Sequence, residues 1–122
     1  MTDSTSLTPE EAHRLARDYV IRGSELDYHE AVVAEGPEAD WLFEQAYDNY
    51  QAALEIEPGM YVALTQWGTT LMHHGHQKSG DEARHLFELA CEKLEAALRI
   101  KSDYTLAQTI LDQVRERMDH LA

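Results

Sequence analysis

The sequence predicts an all-α fold of about five main helices paired as antiparallel hairpins. Apolar residues recur three and four positions apart, as in Phe43, Ala46, Tyr50, Ala53 and Leu54, which lays an apolar stripe along one face of a helix. Only three prolines and six glycines interrupt 122 residues, while Ala, Leu, Glu and Gln recur throughout, as in helices joined by short turns. Residues 42–56 and 86–100 are identical at eight of fifteen positions, and Gly36 and Gly80 keep the same register upstream, so the chain repeats itself.

A chain of this length, 43% hydrophobic, supports one domain with its own core. The organisation expected is a flexible N-terminus over residues 1–8 and a single helical domain over 9–122. That domain divides into repeat one (9–58), repeat two (59–102) and a capping helix (103–121).

In the first helix Ala12, Leu15, Ala16 and Tyr19 precede Gly23; Leu64, Trp67, Gly68, Leu71 and Gly75 repeat that spacing in a third helix. Ala107, Ile110, Leu111 and Val114 give a further copy without the glycine. Between the first and second helices, residues 23–39 have two readings. They form a long functional turn, or residues 25–35, rich in helix formers with Leu26, Val32 and Val33, prolong a helix; composition favours the second. The second helix is expected over residues 38–57, with Pro37 in its first turn and Pro58 closing it. A second long turn is expected from Gly75 to Asp81 and beyond, then a fourth helix over 81–101. The last helix caps the stack, with Ala107, Leu111, Val114 and Met118 inward and Asp112, Arg115, Glu116 and Asp119 toward water.

These residues resemble the tetratricopeptide repeat family, whose first helix reads Trp-x2-Leu-Gly-x2-Tyr and whose second reads Ala-x3-Phe-x2-Ala-x4-Pro. Ala46, Tyr50, Ala53 and Pro58 match the second-helix half in spacing; Ala90, Leu94 and Ala97 match it again, with Ser102 in place of the proline. In the first-helix half Leu64, Trp67, Gly68 and Leu71 keep the size pattern with the tryptophan one site late. The resemblance implies a right-handed α-solenoid and an adaptor that holds a peptide or helix of a partner protein on a concave face. It places the contact at His13 and Arg17, at Thr65, Gln66, Thr69 and Met72, and at Gln108 and Asp112. The basic carboxylate clamp of the family's chaperone-binding branch is missing: the corresponding sites are His13, Arg17, Gln66, Thr105 and Thr109.

Ten basic against 23 acidic residues give a net charge of −13. Residues 1–57 carry 14 acids and three bases, and residues 23–77 carry ten acids and no Lys or Arg. Such a field repels phosphate backbones and anionic lipid and attracts cationic surfaces, so a partner with a basic surface is expected, and neither nucleic acid nor a membrane. The same charge also fits a merely solvated surface. No run approaches the roughly 18 apolar residues that cross a bilayer, the start of the chain is polar, and a lone Cys91 fits a reducing compartment, so a cytoplasmic protein is expected.

His73, His74 and His76, with His85 downstream, form the most conspicuous chemical cluster and motivate the alternative reading, a metal-binding or metal-dependent protein. Adjacent positions let at most two of these imidazoles face one centre, and histidines at a helix end are favoured by its carbonyls, so no metal or other cofactor is expected. His29-Glu30 begins a zinc-protease motif, but Val33 stands where the second histidine belongs. No phosphate loop, dinucleotide fingerprint or nucleophile elbow occurs, and Cys91 reads as a structural thiol, so no enzymatic activity is expected. Trp67 reads as core, whereas Trp41 aligns with polar His85 and reads as a contact residue. Tyr19, Val20 and Ile21 cannot all face one side of a helix, so a homodimer through the first hairpin is expected, or cover by the segment that follows.

Overall fold

A computed structural model describes residues 6–121. The first helix, α1 (Pro9–Glu25), starts at a capping box: Glu11 N donates to Thr8 Oγ1 at 3.1 Å and Thr8 N to Glu11 Oε1 at 3.0 Å. Residues 1–5 of the segment expected to be flexible lie outside the described residues, and Thr8 is the cap. Of the two readings of residues 23–39, helix prolongation is the one observed. Leu26–Glu30 form a π-helical turn continuous with α1, and Ala31–Val33 a 3₁₀ turn.

The next helices are α2 (Gly36–Ile56), α3 (Tyr61–His76), α4 (Gly80–Ile100) and α5 (Thr105–Asp119). The joints into α2 and α4 are alike: an extended residue, Glu35 or Ser79, precedes a glycine in the left-handed region, Gly36 at φ 61° and Gly80 at φ 59°. No atom lies within 4 Å of a Cβ built on either glycine, so backbone conformation and not space demands glycine there.

The second long turn is not observed. α3 runs to His76 and α4 begins at Gly80, leaving three residues between them. Gly75 does not stop the helix; it is a packing notch, because a Cβ there would stand 2.7 Å from Phe87 Cε1. Gly68, two turns earlier, lets Leu94 and the Ala90 carbonyl approach in the same way.

Each helix packs antiparallel on the next, and α1 with α3 and α3 with α5 also touch, which makes a stack of hairpins in two layers. One core cluster, centred on Leu71, Phe87, Leu94, Leu111 and Val114, joins α3, α4 and α5. A second, with Ala16, Val20, Tyr50, Ala53 and Met60, joins α1, α2 and the start of α3, and Trp67 packs on both. The 3₁₀ turn sets Ala31 against Ala39, Leu42 and Phe43, closing the top of the first hairpin. It does not cover α1, where Ile21 stays 49% exposed.

Gly23 and Gly75 are 52 residues apart but Gly36 and Gly80 only 44, so the first hairpin is eight residues longer. Its register slides accordingly: Gly23 meets Tyr50, whereas Gly75 meets Phe87, the counterpart of Phe43. The extra residues are the π and 3₁₀ turns, and they carry Asp27 against α3. No helix among the described residues is long and apolar enough to cross a membrane.

Candidate functional site

Two carboxylates of the first hairpin receive the two adjacent histidines of α3. Asp27, in the π turn, is 0% exposed. His73 Nδ1 stands 2.8 Å from its Oδ2 and 3.0 Å from its Oδ1; a carboxylate only accepts, so Nδ1 carries the proton. Thr70 Oγ1 lies 3.0 Å from the same Oδ2 and 2.9 Å from the Tyr50 hydroxyl. Thr70 Oγ1 also lies 2.9 Å from the Gln66 carbonyl oxygen, so its one proton is shared between that carbonyl and Asp27, and the Tyr50 hydroxyl donates to it. Burial, opposed by the hydrogen bonds with Thr70 and Ser24, pushes the Tyr50 phenol up to about 12. The Tyr28 ring meets His73 edge-on at 5.4 Å, and burial followed by the Asp27 charge raises its phenol too.

His74 is held at both nitrogens. Nε2 stands 2.8 Å from Asp40 Oδ1 and Nδ1 2.8 Å from the Tyr47 hydroxyl. Burial, with the nearby Asp27 charge, raises the Tyr47 phenol strongly, so Tyr47 keeps its proton beside Nδ1, while Nε2–H donates to Asp40. The imidazole stacks on Phe43 at 4.4 Å. Lys78 closes the arrangement with Nζ 2.9 Å from Asp40 Oδ1. Hydrogen bonds from Lys78 and then His74 hold the Asp40 carboxyl below its usual range. Gln77 Nε2 also donates to the Ala31 carbonyl at 3.1 Å. Together these contacts form a polar joint that fastens the lengthened first hairpin to α3.

The histidine cluster is therefore dispersed. His73 and His74 turn to different carboxylates, His76 meets Phe87 edge-on at 5.5 Å, and His85 is exposed on α4 at the rim of another cleft. Among the described residues no three His, Cys, Asp or Glu side chains gather as a group that could hold a metal ion. Burial pushes the Cys91 thiol up, away from a reactive thiolate, and its Sγ lies 3.9 Å from Met118 Sδ.

The expected groove positions separate. His13 and Arg17 line a cleft of about 300 Å³ between α1 and the start of α3, with Glu57, Met60 and Val62, and His13 Nδ1 pairs with Glu57 Oε1 at 2.7 Å. Thr65 and Thr69 are buried between helices, their hydroxyls bonded to the carbonyls of Tyr61 and Thr65 on their own helix, which removes them from a contact surface. Gln66 is half-buried, with Oε1 enclosed and without a hydrogen-bond partner among the described residues. Met72 is buried too, but its edge reaches a cleft of about 430 Å³ between α3 and α5, shared with His76, Glu116, Arg117 and His120. Gln108 and Asp112 are exposed on α5 and bonded to each other at 2.9 Å.

A further cleft, of about 330 Å³, opens in the other layer, between α2 and α4. Its floor is Trp67 and Leu71 of α3; Tyr47 and Glu44 form one wall, and Leu86, Leu89 and Lys93 the other. Sequence reasoning placed Trp67 in the core and passed over this cleft; Leu89, apolar where the first repeat has Gln45, was the signal for it. Asp27 was missed as well, although it continues the stripe of Ala16, Val20 and Gly23 at helical spacing, where a carboxylate stands out. The chain has no significant match to a protein-family model, a curated protein or a solved structure.

Proposed function

We propose that this chain is a protein-interaction adaptor of the tetratricopeptide type, binding a peptide or helix of a partner protein. The observation that carries the reading is the repeat. Two hairpins with matched second helices and matched glycine joints are built around glycine notches that let α3 approach α4. Stacks of this kind present continuous faces to which extended peptides and helices bind. Supporting it are open clefts on both layers, at His13 and Arg17 and at Trp67. The charge favours a partner with a basic surface.

The test is capture from the native extract, identification of what is held, and reconstitution from purified components. A polypeptide that binds the purified chain stoichiometrically, with affinity falling steeply as salt is added, supports the reading; exposed charges are screened over about 8 Å at physiological ionic strength. Failure of every captured polypeptide to rebind in purified form overturns it.

A further inference from the structure

We propose that the cleft between α2 and α4 is a seat for a cationic side chain of a partner helix, with the Trp67 indole as its floor. This rests on the adaptor reading and moves the contact to the layer opposite the expected groove.

The protein already places a cation there. Lys93 Nζ stands 3.8 Å from the centroid of the Trp67 ring. The face of an indole carries negative charge density and attracts an ammonium or guanidinium, most strongly where water is excluded. Water is partly excluded here, because Leu71, Leu86, Leu89 and Tyr47 line the same cleft, and Tyr47 lies over Trp67 at 6.4 Å with its ring inclined by 20°. Glu44 adds a carboxylate on the α2 wall. Lys93 forms no ion pair among the described residues, so its ammonium is held only by the indole and can swing out to water on its flexible stem.

An arginine is the better occupant. Its planar guanidinium stacks on aromatic rings and is more weakly hydrated than an ammonium, so it displaces Lys93 with a smaller loss of solvation. The surrounding charge agrees: no Lys or Arg occurs over residues 23–77, which include the α2 wall and most of the floor. The leucines on the other wall ask for an apolar neighbour beside the cation, which an amphipathic basic helix supplies. A second copy of this chain suits the seat less well, since each copy carries a net charge of −13 and the encounter is repulsive.

The experiment titrates the whole chain with a short amphipathic helix of leucine and arginine, using leucine–lysine and leucine–glutamate versions for comparison. Amide and indole N–H resonances report the location. The expected result is binding that shifts Trp67, Leu86 and Leu89, tighter for arginine than for lysine and absent for glutamate. K93Q removes the internal competitor and tightens binding by about twofold to fivefold beyond R99Q, which changes the charge equally. L89E weakens binding even though it adds a negative charge, whereas attraction by charge alone requires it to tighten. Circular dichroism shows whether L89E folds, and if it does not, the comparison of K93Q with R99Q decides. Equal effects of K93Q and R99Q, or tightening by L89E, overturn the seat. Shifts confined to His13, Arg17 and Val62, or no binding of any cationic helix, overturn the seat and leave the adaptor reading to capture and reconstitution.

Discussion

Replacing Gly68 by alanine sets two effects of known size against each other. Alanine is favoured over glycine inside a helix by about 1 kcal/mol, so with no neighbours the change would stabilise α3. In the folded chain the added Cβ stands 2.6 Å from Leu94 Cγ, 3.0 Å from Leu94 Cδ2 and 3.2 Å from the Ala90 carbonyl oxygen. The near atom is a branch point and not a flexible tip, Leu94 is fully buried, and the carbonyl belongs to the α4 backbone. Relief therefore requires α3 and α4 to separate, and overpacking of this kind costs about 1–3 kcal/mol. The two together leave a net loss of up to about 2 kcal/mol, or up to roughly 10 °C in Tm for a chain of this size. Thermal and urea melts followed by circular dichroism measure it, with Gly59→Ala as control. Gly59 lies in a turn with no atom within 4 Å of a Cβ, and its replacement is expected to be neutral or slightly stabilising. A Gly68→Ala protein that melts above the wild type would refute the close approach of α3 to α4.

Asp27→Ala leaves His73 facing a buried site without its acceptor, while Thr70 keeps the Gln66 carbonyl, and is expected to cost about 1–3 kcal/mol in a urea melt; an unchanged melt would show the joint to be dispensable. Burial, reinforced by Arg117 and His73, lowers the His76 pKa below its ordinary 6.5, so the unfolded chain takes up a proton that the folded chain refuses; stability should fall as pH drops from about 6.5 toward the lowered value, and His76→Gln should flatten that slope. Ala97, fully buried on α4, should not accept tryptophan: Ala97→Trp is expected to unfold or aggregate the protein, and an unchanged melt would contradict the helix pairing. Pairing of two chains through Ile21, which is 49% exposed, works against the acidic first hairpin, so light scattering over a tenfold concentration range should detect it only at high salt; a monomeric mass under all conditions excludes it, and loss of the dimer in Ile21→Glu supports it.

The helices were legible because each depends on local periodicity. The two matched segments, expected at residues 38–57 and 81–101, are observed at Gly36–Ile56 and Gly80–Ile100. Gly75 misled because a glycine that ends a helix and one that admits a neighbouring ring look alike until the ring is placed; Phe87 lies twelve residues further on. The polar joint was hidden for a related reason. His73 lies 46 residues from Asp27 and His74 lies 34 from Asp40, distances that only the sliding of the first hairpin bridges. Read along the chain, His73 and His74 are neighbours and invite a shared metal. A helix turns by about 100° per residue, so side chains next to each other in sequence point apart, and each histidine finds its own carboxylate.

The π turn at Leu26–Glu30 makes the length of this hairpin adjustable in a way that a plain helix is not. Its backbone bonds span one residue more than those of an α-helix, so it absorbs a single surplus residue without disturbing the turns on either side. Deleting that one residue should relax the turn into ordinary α-helix while α1 stays seated below and the 3₁₀ turn stays on Phe43. The hairpin thus tolerates the loss of one residue at this turn, and a chain shortened by one here would be disrupted less than a chain shortened by the whole eight-residue extension, which would take away the Asp27 carboxylate that meets His73.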